Sequence, residues 1–406
     1  MRGRWISGSS INWSLTVVTL AVVVVSVQLA LSMPAISGEQ QDFCVYYTGV
    51  ELAWNHTSPY DIPRVEGKVA ERLGIQRGEF PCGFFPPPLS FIALAPWVLL
   101  PWPAAKAAWL FASLLAAGAC GLLASLFGRE AHRGVGWGVI VGLVLLNPLV
   151  QRSISLGQTG LFMCACVVVG QRAFERGRPV AGCLLWGLAG VKPHVALPLI
   201  AAAGFTGGWR RAAGIVLASG GMWIMGALLL GDPLTVTVGY FEYLKDSHAA
   251  LGFNRISNDQ FVSWNRLVAA AGGPEFELGS VGAATGLALS LGVIWVLRMR
   301  KQPPPPASWT LAACVTWGLF TVQAHGYELV ILVLVVPYLL RLYDGRDFLG
   351  LTILLLPLLV MSIPRGAVAR LGEAFGPSSL LPLLLSYRAV ALAFLAVVLI
   401  ARKPPK

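Results

Sequence analysis

The chain has 406 residues, 56% of them hydrophobic and only 12% charged, with a mean hydropathy of +0.70. Soluble domains carry about 25% charged residues, so a soluble globule is excluded and a polytopic membrane protein is indicated. The net charge of +11 does not mark a nucleic-acid binder, because Lys and Arg are scattered through short turns between apolar segments, where they set topology.

A hydrocarbon core of about 30 Å takes about 20 apolar residues per helix, which leaves room for about a dozen spans. The basic start, "MRGRW", is expected to stay cytoplasmic. Ile11–Met33 is too long for a signal core and ends without an A-x-A-like site, so it reads as a retained first helix. A first outer loop follows, 35–103. Between Ala35 and Phe85 it holds seven acids against four Lys/Arg, so little opposes its export. Within it, "PPPLSFIALAPWVLLPWP" (Pro86–Pro103) is placed along the outer membrane surface, since counting it as a span inverts every later basic turn.

Helix two is then expected at about 104–127, with "GREAHR" inside, and helix three at about 134–150. It leads out to "QRSISLGQTG" (Gln151–Gly160), and helix four returns to the inner "RAFERGR". Helices five and six, about 179–191 and 194–206, make a short hairpin with "VKPH" at its outer tip and "GGWRR" inside. Helix seven, about 212–230, opens a second large outer loop, 231–278, and helix eight ends at "RMRK" before a stiff "QPPPP" turn. Helices nine and ten, about 307–323 and 327–340, meet outside at "QAHGYE". Two more spans, separated from helix ten by the inner "RLYDGRD", close an all-α bundle of about twelve helices. The expected unit is one transmembrane domain, 1–406, with both ends inside and juxtamembrane helices in the first loop.

This map puts Asp42, Arg152, Gln158, Lys192, His194 and His325 on one side. The hairpin arms have only about 13 residues each, too few to cross a bilayer fully, so Lys192 should lie below the outer surface. An ammonium at that depth is costly unless it meets water, a partner or an anion. The set suits a pocket with cations for a phosphate and an acid or imidazole for proton transfer. Plainer readings stay open beside these. Asp42 is also a candidate helix N-cap, Lys192 a snorkelling lysine, Arg152 a helix anchor and Gln158 a helix-to-helix bond. His325 equally suits a satisfied loop histidine. Tyr46, Tyr47, Trp54, Trp97 and Trp102 suit an interfacial aromatic belt. Cys44 and Cys82 share the first loop, where an oxidising compartment permits a disulfide. No HExxH, Walker loop, paired-Cys metal site or nucleophile elbow occurs, so no cofactor and no metal are expected.

The stretch "DFCVYYTGVELAWNHTSPYD" (Asp42–Asp61) resembles the first-loop signature of the bacterial polyprenol-phosphate-mannose-dependent alpha-(1,2)-mannosyltransferase family. The likeness continues through "FFPPPLSFIALAPWVLLPWPAAKAAWL", "SISLGQTGLF" and "ERGRPVAGCLLWGLAGVKPHVALPL", then rests on "SNDQ" (Ser257–Gln260) and "QAHGYE". The resemblance implies an integral-membrane glycosyltransferase of C-type architecture in the cell membrane. It would take a hexose, by default mannose, from a polyprenyl-phosphate donor to a glycolipid or lipoglycan acceptor on the extracytoplasmic side, with inversion. Asp42 matches the family's first-loop acid and His325 a late-loop histidine associated with catalysis. Lys192 matches the "KP" lysine and Gln158 the "LGQ" glutamine. Lys192 and Arg152 are the expected donor phosphate ligands; Gln158, His194, Asn258 and Gln260 are the expected substrate contacts. His194 stands where relatives often carry a small or apolar residue. Arabinose or glucose on the same carrier is the alternative within this class. A lipid or sugar transporter or flippase is the alternative outside it, disfavoured by the single short hairpin without a counterpart.

Overall fold

A computed structural model of the protein describes residues 40–80, 82–126, 144–145, 147–250, 262, 264–270, 307–321, 325–344, 347–363, 368 and 385–401. The expected first helix, "GREAHR", "SNDQ" with Asn258 and Gln260, helix eight and "QPPPP" lie outside the described residues. Among the described residues the chain is helical, without a strand.

The first loop folds on its own small core. Helix α1 (Gln41–Trp54) and helix α2 (Ile62–Leu73) pack through Phe43, Val45, Val50, Val65 and Val69. Asp61 caps α2 by accepting from the Arg64 amide at 3.2 Å, Pro63 starts it, and Gly74 at φ +67 ends it. Glu51 of α1 then binds Lys68 at 3.0 Å and Arg72 at 2.5 Å on α2, pinning the pair together. The "PPPLSFIALAPWVLLPWP" segment breaks into helix α3 (Ser90–Leu94) and a 3₁₀ turn (Ala95–Leu99), and never forms a span-length helix.

Helix α4 (Trp102–Leu126) leads into the bundle. The polar stretch expected as an outer loop at 151–160 is instead mostly helix α5 (Pro148–Leu156). Asn147 caps it through the Leu149 amide at 2.8 Å, Pro148 fixes its first residue, and Leu149, Val150 and Ile154 are buried. The chain then turns by 113° through Gly157–Thr159 into helix α6 (Gly160–Glu175).

The short hairpin forms near its expected limits. Helix α7 (Pro179–Gly187) runs into a 3₁₀ turn (Leu188–Val191), Lys192 is extended, and helix α8 (Pro193–Gly207) descends. Gly208 at φ +75 starts helix α9 (Trp209–Leu230), which returns along α7, where Ser219 donates to the Gly187 carbonyl at 3.0 Å. Helices α10 (Pro233–Ala250) and α11 (Trp264–Ala270) occupy the expected second outer loop. Helix α12 (Ala307–Thr321), a 3₁₀ segment (Gly326–Val335), α13 (Val336–Asp344), α14 (Phe348–Ser362) and α15 (Tyr387–Ala401) complete the described bundle. Its core includes Leu161, Leu199, Trp309, Leu329, Ile331 and Tyr338.

Two stretches among the described residues, Trp102–Gly121 and Val195–Leu230, are apolar and long enough to cross a bilayer; the bent α5–α6 pair makes a third if it is one span. The second stretch contains the turn at Gly208. With the shorter apolar helices, these make a helical membrane protein.

Gly157 combines a left-handed backbone with a close packing neighbour. Its φ is +74, and a Cβ there would meet the Phe43 Cβ at 2.5 Å. Gly177 has a similar φ of +70 with open space around it. Left-handed backbone costs about 1–2 kcal/mol for an L side chain, and a clash in a packed site adds about 1–3 kcal/mol. Gly157→Ala should therefore lower thermal stability in detergent clearly more than Gly177→Ala. Equal losses would contradict this packing.

Candidate active site

Asp42 lies in the first turn of α1, one residue inside its start. Gln40 holds the N-cap position without a side-chain cap bond, so the capping reading of Asp42 is set aside. The next residue, Phe43, is fully buried and stacks on Trp109 with ring centroids 4.4 Å apart. Trp97 and Trp102 close around the same ring, and Trp109 donates to the Gly157 carbonyl at 3.1 Å. Aromatic burial thus fixes Asp42 against the α5–α6 elbow. Trp97 and Trp102, expected in a belt, are partly buried in this clamp, whereas Trp54 remains 59% exposed.

Gln158 sits on that elbow, 3% exposed. Its Nε2 donates to Asp42 Oδ2, and its Oε1 accepts from Tyr46 at 3.1 Å and from Lys192 Nζ at 2.9 Å. Lys192 at the hairpin tip donates also to Glu328 Oε1 at 2.8 Å, and this ion pair is nearly sealed from solvent. The second Glu328 oxygen, Oε2, accepts from the His325 main-chain amide at 2.8 Å. Four regions distant in sequence therefore meet: the first-loop helix, the α5–α6 elbow, the hairpin tip and the late turn.

The cluster is polar and its charges are compensated. Asp42, Tyr46, Lys192 and His325 are half-buried, and Arg152 of α5 is exposed. Burial raises the Asp42 carboxyl above its ordinary value, while the Gln158 hydrogen bond and the charges of Lys192 and Arg152 pull it back; Glu328 adds to the rise. Burial likewise raises the Tyr46 phenol, and the Asp42 and Glu328 charges add to it.

Asp42, Gln158, Lys192 and His325 are brought together, and Arg152 lies within electrostatic reach of Asp42. His194 occupies the first turn of α8, two residues from Lys192. Asn258 and Gln260 lie outside the described residues. Sequence reasoning missed Tyr46 and Glu328. A lone carboxylate opening the apolar run "ELVILVLV" was the available signal, because an intramembrane charge needs a partner. Among the described residues no group of His, Cys, Asp and Glu is arranged to hold a metal.

The basic turns gather at the other end of the bundle. Arg172 pairs with Glu175 at 2.6 Å, and the Arg211 guanidinium lies over the Phe174 ring at 4.2 Å. The 16 residues of α6 separate these from Gln158 by about 24 Å.

The fold and this cluster define a helical membrane protein with a charged polar cluster where four chain regions meet. Residues 84–323, more than half the chain, match glycosyltransferase family 87. The chain belongs to that family and is a glycosyltransferase. Neither the curated proteins nor the solved structures compared with it give a match.

The first-loop thiols are both free and buried, not joined. Burial pushes Cys44 up to about 11, with Arg72 opposing, and Cys82 up to about 12. Both should therefore resist maleimide at pH 7.5 in the folded protein and react without reductant once denatured, read by peptide mass spectrometry. Labelling that requires prior reduction would mean a disulfide.

Proposed function

We propose that this glycosyltransferase moves a hexose, with mannose the first choice, from a polyprenyl-phosphate sugar to a glycolipid or lipoglycan acceptor on the extracytoplasmic face of the cell membrane. The observation that carries the reading is the Asp42 carboxylate, held by Gln158 within electrostatic reach of the half-buried Lys192 and the exposed Arg152. It supports the reading by bringing a carboxylate suited to accept a proton and two cations suited to a phosphate within electrostatic reach of one another. The twelve-span topology with both ends inside remains part of this proposal. Its support is the separation of the basic turns from the cluster along α6.

The acceptor hydroxyl attacks the anomeric carbon from the face opposite the phosphate. The bond from that carbon to the phosphate oxygen breaks, its electron pair leaves with polyprenyl phosphate, and configuration inverts. Asp42 takes the hydroxyl proton. Its burial makes it a stronger base than a solvated carboxylate, which a general base near neutral pH requires. Arg152 offers a planar fork to the departing phosphate oxygens. Lys192, already shared between Glu328 and Gln158, contributes a positive field and any remaining donor capacity. Gln158 orders Asp42, Tyr46 and Lys192 through its amide, and its Nε2 carries a second hydrogen for the substrate contact expected of it. His325, the alternative proton acceptor, sits on the late turn and is joined to Glu328 through its main chain.

The test is consumption of mannosyl polyprenyl phosphate by purified protein, read as release of free polyprenyl phosphate, which a transporter or flippase would not give. Asp42→Asn should remove at least about 100-fold of the turnover, in line with a general base worth 10²–10⁴. The sign of the pH effect follows from the raised carboxyl: wild-type activity should rise with pH through a limb above the ordinary 3.8 of Asp. Arg152→Ala removes an opposing cation, so it should move that limb upward and raise the donor KM. Near-normal turnover of Asp42→Asn would refute this assignment.

A further inference from the structure

Glu328 carries no role in the transfer described above, yet it is 3% exposed and each of its carboxylate oxygens is engaged. Oε1 faces Lys192 Nζ at 2.8 Å, and Oε2 faces the His325 main-chain amide at 2.8 Å. The Glu328 amide in turn donates to the His325 carbonyl at 2.8 Å, closing a tight ring between the two residues. Through Lys192 the connection passes to Gln158 and so to Asp42. We infer that Glu328 is a positioning residue for transfer: it ties the Lys192 tip to the His325 turn, and its negative charge offsets that of Lys192 beside Asp42.

A carboxylate is needed for this work. Gln at 328 keeps one acceptor oxygen and the shape, and leaves Lys192 as an uncompensated buried cation, which is strongly unfavourable. An uncompensated cation near Asp42 also holds that carboxylate in its ionised form. The charged and titratable groups around Asp42 are Tyr46 on its own helix, Arg152 on α5, Lys192 at the hairpin tip, and Glu328 with His325 on the late turn. Loss of the Glu328 charge lowers the proton affinity of Asp42, directly and through Lys192. The pH profile therefore reports on Glu328 through Asp42.

This inference rests on the transfer reading, so wild type is measured first, with mannosyl, glucosyl and arabinosyl polyprenyl phosphates as donors. Glu328→Gln, Glu328→Asp and the double variant Lys192→Met/Glu328→Gln follow, each purified in detergent. The account expects Glu328→Gln to lose about 10- to 100-fold in turnover, the scale of a misplaced catalytic constellation. It also expects the acid limb of kcat/KM to move down by about one pH unit, as removal of a nearby like charge requires. Glu328→Asp, which keeps the charge on a shorter stem, should keep the limb in place while losing turnover. The double variant should melt higher than Glu328→Gln, because the orphaned cation is gone. A Glu328→Gln enzyme with wild-type turnover and an unmoved limb would overturn the inference while leaving the transfer reading intact. Lost turnover with an unmoved limb would reduce Glu328 to a structural residue and overturn it also. A wild type that consumes none of the three donors would overturn both readings together.

Discussion

A buried ammonium in an apolar bundle must be matched by a carboxylate, and the Lys192–Glu328 pair meets that requirement at 2.8 Å. The rest of the site depends on it. Lys192 stands at the tip of a hairpin and Glu328 in a turn 136 positions later, so the pair closes a long loop of chain around one point. Gln158 extends the pair to Asp42, because one amide can accept from an ammonium at its oxygen and donate to a carboxylate from its nitrogen. The amide orientation is thereby fixed by its neighbours, and the charges alternate along the chain of contacts.

Apolar packing holds one end of this polar chain in place. Phe43, buried between Trp102 and Trp109, holds the α1 start against the Gly157 turn, and Asp42 is its immediate neighbour. The Glu51–Arg72–Lys68 cluster anchors the other end of α1 to α2, leaving the Asp42 end to the aromatic clamp. Exposure then divides the cations. Arg152 remains at the surface, where the proposed transfer would use it for the phosphate, while Lys192 is bound to Glu328 and Gln158.

Much of the bundle was legible because apolar length and basic turns are robust signals in a membrane chain. The hairpin at 179–206 and the breaks at Pro179 and Pro193 follow directly from composition and proline placement. The helix at Pro148–Leu156 was not legible as such: Gln151, Arg152, Ser153 and Ser155 read as loop residues, and only the Asn147 cap with the buried Leu149, Val150 and Ile154 makes the helix. The polar cluster was half legible. Asp42, Gln158, Lys192 and His325 stood out by residue type at membrane depth, whereas Tyr46 resembled any interfacial aromatic. Glu328 was hidden because its partner lies far along the chain, and pairing of that kind is set by tertiary packing and not by local pattern.

The central claim is that the Asp42–Gln158–Lys192–Glu328 cluster opens away from the cytosol, opposite the basic turns. Its most direct measurement is labelling of single cysteines in intact cells with a membrane-impermeant maleimide, using R152C beside the cluster and R210C at the basic end, in a background without reactive native thiols. The account predicts that R152C is labelled from outside and R210C only after permeabilisation. Labelling of R210C from outside, or protection of R152C until the membrane is opened, would contradict it.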